Sequence, residues 1–418
     1  MRGTEDEARA AAEAAARRSY GKLVAFLSAR TRDVAAAEDA LADAFASALA
    51  RWPVAGIPDN PEAWLMAAAR RKAIDGVRRQ RTRVNADPHL KLMAEEASEV
   101  IEEGGIPDER LRLMFACAHP AIDPAIRAPL ILQTILGFDA ARIASAFLVS
   151  PSTMGQRLVR AKARIRETGI PFRIPDRPEL PERLDAVLAA IYAAFAEGWA
   201  DPAGTETRRR ELAGEAIWLG RLVASLMPNE PEALGLVSLM LFAEARRAAR
   251  RDTNGGYVPL AEQDVTKWDQ TLITEAEGLL LRASAMGRPG RYQIEAAIQS
   301  AHVVRRSTGQ ADWRAIVDLY GVLAAMVPSP VVAVNRAVAV AQAGHAGDAL
   351  AALDELADDP RLADYQPYWA ARAELLARAG KQAEAATAYD RAIGLEPDPS
   401  VRAFLQERRM AMKPQTSS

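Results

Sequence analysis

The chain has 418 residues, half of them hydrophobic but only 6% aromatic, with a formal net charge of −2. That length exceeds one ordinary core, so two to four domains are expected, and abundant alanine with few β-branched runs indicates an all-α fold. The single cysteine, Cys117, excludes an intramolecular disulfide, and no apolar run of about 18 residues or signal-peptide pattern is present; a soluble cytoplasmic protein without membrane association is expected.

The charge is unevenly spread. Through Ile170 there are 25 Lys and Arg against 22 Asp and Glu, and beyond it 28 against 33. The basic residues of the first part are also clustered.

Residues 8–51 read as helices, with apolar spacing at Leu23, Phe26 and Leu27, then at Ala37, Leu41, Ala44, Phe45 and Leu49. Pro and Gly predict a loop over Trp52–Asp59. Asn60-Pro61 is a cap followed by a proline at the first helical position, which starts a helix running to about Arg81. At about 100° per residue, Met66, Ala67, Ala69, Ala73, Ile74 and Val77 share one arc of that helix. Arg71, Lys72, Asp75, Arg78 and Arg79 share the other, with Trp64 among them. A tryptophan beside four cations suits a surface that holds phosphates while stacking on an unpaired base. Equally, a tryptophan at a helix start packs under a loop. Arg70 falls on the apolar arc, as a structural ion-pair partner would.

Residues 85–107 form an acidic linker with Glu95, Glu96, Glu99, Glu102 and Glu103, closed by Gly104-Gly105-Ile106-Pro107. Helices resume near Pro107 and lead to a helix-turn-helix over 139–166. Asp139 caps a first helix to about Phe147, Leu148-Val149 fill the turn, Ser150 is an N-cap and Pro151 opens the second helix. Met154, Leu158, Ala161 and Ile165 form a narrow stripe facing the first helix. Thr153, Gln156, Arg157, Arg160 and Arg164 lie opposite, and no acidic residue occurs between Pro151 and Arg166. Such a face fits a major groove, where Arg and Gln read base edges and Ser and Thr hold phosphates. It also fits a plain amphipathic surface helix. Gly155 is unusual there, costing about 1 kcal/mol against alanine.

Prolines at 171, 175, 178 and 181 mark the next boundary, followed by more helices. In the last third, Gly344 to Gly380 and Ala349 to Ala385 are both 36 residues apart. Ile316, Tyr320, Leu323 and Pro328 share the internal spacing of Ala385, Tyr389, Ala392 and Pro397. Small and aromatic residues at these offsets predict stacked helix pairs of tetratricopeptide type. Cys117 and His119 lack further ligands for zinc, and no phosphate-binding glycine loop or catalytic constellation appears, so neither an enzyme, a metal nor a cofactor is expected.

Two basic helices in this order bring a family into view. Glu38-Asp39 through Phe45, then Ala63-Trp64-Leu65 and Ala73-Ile74-Asp75 to Arg78-Arg79, resemble region two of extracytoplasmic-function RNA polymerase sigma factors. The helix-turn-helix resembles their region four, and the extension resembles the subgroup with a C-terminal tetratricopeptide-like domain. The resemblance implies region two at 1–85, an acidic linker at 86–107, region four at 108–172, a helical middle domain at 180–285, repeats at 286–405 and a frayed tail at 406–418. It implies that core RNA polymerase and promoter DNA are the partners. Asp39 and Asp43 would dock on the polymerase, with Ala42 standing where a glutamine is common. Loop 53–60 would receive a flipped base of the −10 element, while Trp64, Arg71, Lys72, Arg78 and Arg79 would hold and melt that element. Arg71 stands where asparagine is common. Ser152, Thr153, Gln156, Arg157 and Arg160 would face the −35 element. The extension would bind a protein or peptide, or pack on the sigma domains, and so regulate activity. A stand-alone helix-turn-helix regulator and a helical-repeat adaptor are the competing readings.

Overall fold

The computed structural model describes residues 2–31, 34–83, 108–168, 175–199 and 207–412. It is all-α; among the described residues the sole β feature is an isolated bridge between Arg251 and Tyr257. The acidic linker and residues 413–418 lie outside the described residues, while the start of the predicted tail, 406–410, is not frayed but belongs to the last helix, Pro399–Met410. Two compact units divide the chain, one ending at Ala190 and the other beginning at Ile191.

In the first unit α1 (Arg2–Thr31), α2 (Val34–Ala55) and α3 (Pro61–Arg83) pack on one another, and α4 (Glu109–Cys117) packs on α1. Leu23, Leu27, Leu41, Ala44 and Ala69 are buried as the spacing requires, whereas Leu49 is exposed; on α3 the buried face is turned from the predicted arc, with Leu65 and Ala68 buried and Ala67 exposed. The loop predicted from Trp52 starts later. Helix α2 runs through Pro53 to Ala55, and Gly56 (φ 88°) donates its N–H to the Trp52 carbonyl. A proline within a helix forfeits one backbone bond and tends to kink it, a cost that packing of the buried Trp52 side chain offsets. Asn60 caps α3 as expected, its Oδ1 accepting from Ala63 N at 3.0 Å.

Asp108 caps α4 and Asp123 caps α5 (Pro124–Thr134), each carboxylate accepting N–H groups of the first turn. The apolar α5 carries Ile126, Leu130, Ile131 and Leu132 into the core. Next come α6 (Ala140–Ala146) and α7 (Pro151–Thr168), which pack against each other. A 3-10 turn at Arg177–Glu179 leads into α8 (Leu180–Trp199). Arg183, near its start, is fully buried and donates to the Phe115 carbonyl of α4 at 3.1 Å and to Glu179 at 3.3 Å.

The second unit begins within α8 and continues with α9 (Thr207–Leu226) and α10 (Pro231–Ala245). Helix α10 is apolar on nearly every side and is buried accordingly. It packs against α9, α11 (Gln270–Ser284) and α12 (Arg291–Val303). Between α10 and α11 runs an irregular stretch of short 3-10 turns. The one-turn α13 (Arg305–Thr308) then leads into α14 (Trp313–Met326), α15 (Pro330–Gln342), α16 (Ala346–Asp354), α17 (Gln366–Arg378), α18 (Gln382–Leu395) and α19 (Pro399–Met410).

These last helices form antiparallel hairpins: α12 with α14, α15 with α16, and α17 with α18. The turns of the second and third hold Gly344 (φ 98°) and Gly380 (φ 76°), a conformation that disfavours any Cβ. Ala349, Leu353, Ala373, Leu376, Ala385, Tyr389 and Ala392 all lie in one apolar cluster. Ile316 and Leu323 anchor a second, and α15 feeds both, Ala339 into one and Val334 and Ala337 into the other.

A candidate nucleic-acid interface

The α6–α7 pair is built as the sequence requires. Asp139 accepts from Arg142 N at 2.8 Å, and Ser150 Oγ accepts from Thr153 N at 3.2 Å. The first helix ends at Ala146, with Phe147 as its cap. Leu148 (φ 52°) makes the turn in the left-handed region, a conformation that costs a leucine roughly 1–2 kcal/mol. The N–H of Val149 then returns to the Ala144 carbonyl at 3.1 Å and closes the corner.

Met154 and Leu158 are buried. The other two residues of the predicted stripe behave differently. Ala161 and Ile165, half-buried, line a groove of about 310 Å³ together with Pro120, Ile122, Pro124 and Ile126. On the far side Ser152, Gln156, Arg157 and Arg160 are exposed. Arg160 donates to Gln156 Oε1 at 3.3 Å, which aligns the two side chains along the helix. Thr153 is half-buried, and its hydroxyl shares a 2.8 Å hydrogen bond with Ser150, so part of its polarity belongs to the cap. Gly155 is no point of backbone approach: an added Cβ would sit 3.9 Å from the Ala140 Cβ, an ordinary contact.

Trp64 is half-buried and meets the buried Trp52 edge-on, the rings 5.5 Å apart at 70°. The packing alternative therefore describes one edge of Trp64, while its helix neighbours Arg71 and Lys72 are exposed. Arg71 Nε donates to the Ala67 carbonyl at 3.2 Å. Lys72 Nζ lies 3.7 Å from Asp43 Oδ2, bringing together two residues the sequence assigns to different partners. Asp39 is exposed beside it on α2. Arg78 and Arg79 belong to α3, but their side chains lie outside the described residues. Arg70 is exposed and, among the described residues, makes no ion pair; its guanidinium lies 5.9 Å from the Phe26 ring, a cation–π contact that explains its place on the apolar arc.

One contact escapes sequence reasoning. Lys162 Nζ, on α7, lies 2.7 Å from Glu38 Oε2, on α2, across 124 residues. The side chains are only 24% and 16% exposed, so this pair is far less screened than Lys72–Asp43. It holds the helix of Asp39 and Asp43 directly to the cationic helix. Tyr20 faces the same junction: burial, then Glu38 and Asp39, push its hydroxyl up to about 12. Cys117 is buried against Thr134 (Sγ to Oγ1 3.6 Å), and burial pushes its thiol up to about 12, which makes it an inert packing residue.

The description "Sigma-70 region 2" matches residues 16–83, and "Family of unknown function (DUF6596)" matches residues 183–284. A protein of Rhizobium meliloti (strain 1021), described as "Uncharacterized protein R00370", is 40% identical over 393 residues, 92% of each chain. No solved structure matches. Among the described residues no helix is long and apolar enough to cross a membrane. The two-tryptophan corner, the acidic face of α2 and the basic face of α3 all fall inside the region 2 match; the chain belongs to the same family as the Rhizobium protein, and its own sigma-70 region 2 is the domain of sigma factors acting in transcription initiation.

Proposed function

We propose that this chain is a sigma factor of the extracytoplasmic-function subgroup that grips its promoter at two points. In this reading α7 is the reading helix of a helix-turn-helix on the −35 element. Ser152, Thr153, Gln156, Arg157 and Arg160 face that duplex. One bidentate arginine contact with a guanine is worth about 1–3 kcal/mol of discrimination. Trp64, Arg71, Lys72, Arg78 and Arg79 hold the −10 strand and, with loop 53–60, take up a base whose unstacking costs a few kcal/mol. Asp39 and Asp43 dock on core RNA polymerase. The Lys72–Asp43 pair is exposed on both sides and therefore weak, so Asp43 stays free to accept a donor from the polymerase.

The observation that carries the reading is a second helix pair, capped by Asp139 and Ser150 with Arg157 and Arg160 exposed on its far face, in the same compact unit as the region 2 match. Elements about 25 base pairs apart lie about 85 Å apart along B-DNA. Helices α2 and α7 touch through Lys162 and Glu38, so promoter engagement must part them. The hairpins from α12 to α18 form the tetratricopeptide-like surface, which binds a protein or peptide and regulates the first unit.

Run-off transcription with purified core polymerase over a promoter library tests the assignment. Transcripts from a defined promoter subset should require this chain. They should disappear on Arg157→Ala with Arg160→Ala while core binding persists. No promoter-dependent transcript on any template would overturn the assignment in favour of a stand-alone regulator or an adaptor.

A further inference from the structure

The run Arg246-Arg247-Ala-Ala-Arg250-Arg251 carries two arginine pairs four residues apart, and their surroundings differ sharply. Arg247 pairs with Glu244 at 2.7 Å and Arg251 with Asp398 at 2.6 Å. Arg246 and Arg250 have no carboxylate at ion-pair distance among the described residues. Arg246 is buried and donates instead to the Phe242 carbonyl and the Gln299 side chain. Arg250 donates to the Trp199 carbonyl at 2.7 Å. A third arginine, Arg305, donates among the described residues only to the Leu260 and Gln263 carbonyls. Buried cations are normally paired, because stripping their hydration costs several kcal/mol each.

These three cations form one group built around two indoles. Arg246 and Arg305 flank Trp268 with guanidinium carbons 6.0 and 5.9 Å from the ring centre. Arg250 and Arg247 lie 4.5 and 5.0 Å from Trp199. His302 reports the local potential: burial, then Arg246 and Arg305, hold its imidazole down to about 4. Two buried donors in the group, Trp268 Nε1 and Arg247 Nη2, have no hydrogen-bond partner, and neither do two buried acceptors beside them, Glu244 Oε2 and Gln263 Oε1. Positive charge gathered at one place without ion-paired carboxylates calls for a group that carries negative charge.

We infer that Arg246, Arg250 and Arg305, with the indoles of Trp199 and Trp268, form a binding site for a phosphate dianion, free or carried on a small metabolite. Three guanidiniums without a carboxylate at ion-pair distance match a dianion better than a single carboxylate, and arginine's planar donor edge fits phosphate oxygens in pairs. The site lies within the second unit and is independent of promoter or polymerase contact.

The test uses the full chain and its tryptophan fluorescence. Inorganic phosphate, uridine 5′-monophosphate, glycerol phosphate and acetate are each titrated against chloride at matched ionic strength. A saturable change with phosphate or a phosphomonoester, absent with acetate, is expected, with a rise in melting temperature. The tightest of the three phosphates identifies the carrier. Arg250→Gln and, separately, Arg305→Gln should weaken binding about tenfold or more, the loss of one charge-assisted contact. Both variants are checked for an unchanged far-ultraviolet dichroism spectrum. No response beyond chloride, an equal response to acetate, or undiminished phosphate binding in both variants would overturn the site.

Discussion

Gly155 lies mid-helix on α7, with room for a methyl group against Ala140. Gly155→Ala is expected to stabilise the chain by about 1 kcal/mol, the helix-propensity difference, and thermal melting checks it. A lower melting temperature would mean that the helix pair needs the bare backbone there. His302 supplies a pH prediction with a definite sign. Its folded pKa is depressed to about 4, below the ordinary 6.5, so the unfolded chain binds the proton first as pH falls. Stability should therefore fall between pH 6.5 and 4, and His302→Gln should flatten that part of the profile in acid titration followed by dichroism. An unchanged slope in the variant would place the acid sensitivity elsewhere. Residue-scale features of this kind split by reach. Asn60, Asp139 and Ser150 were legible as caps because each bonds an N–H three residues on. The partners of Lys162 and Arg183 lie 124 and 68 residues away, and no local pattern announces them.

Among elements, the joint between α2 and α7 matters most for the proposed activity. Lys162→Ala removes a partly buried ion pair and leaves Glu38 poorly solvated, so the melting temperature should drop. If the two helices must part on a promoter, the same substitution should raise transcript yield when the chain is limiting. A fall in yield, at equal folded fraction, would instead place Lys162 in the productive complex. Exchanging the charges with Glu38→Lys and Lys162→Glu should recover much of the lost stability, measured as a coupling in a double-mutant cycle. Elements also show where periodicity misleads. Spacing sets the whole α7 stripe against α6, yet its last two members line the groove beside Ile122 and Ile126, because the seven-residue α6 is too short to cover them. Helix α12 follows Gly290 and begins under the carboxylate of Glu232, which accepts from Tyr292 N at 2.9 Å and Gln293 N at 3.2 Å. That cap comes from another helix, so the α12 start carries no signature of its own in sequence.

At the scale of the whole chain, the all-α class and the repeating hairpins were readable from alanine content and from the 36-residue glycine and alanine spacing. The extent of the first unit was less so. Prolines at 171–181 suggest a boundary there, whereas Arg183 ties the start of α8 to α4, and the first unit ends at Ala190. A chain truncated after Phe172 should accordingly melt lower than one ending after Ala190, since it loses the donor to the Phe115 carbonyl. Equal melting would make the Arg183 contact energetically idle. The central claim is that α7 reads duplex upstream while the region 2 helices open it downstream, with polymerase holding them apart. Footprinting of the reconstituted holoenzyme on a responsive promoter, combined with permanganate probing of unpaired thymines, tests this most directly. The account predicts two protected segments at −35 and −10, with permanganate-reactive thymines only near −10 and only with polymerase present; loss of upstream protection should follow Arg157→Ala with Arg160→Ala. A single protected segment formed equally well by the chain alone, without reactive thymines, would contradict it.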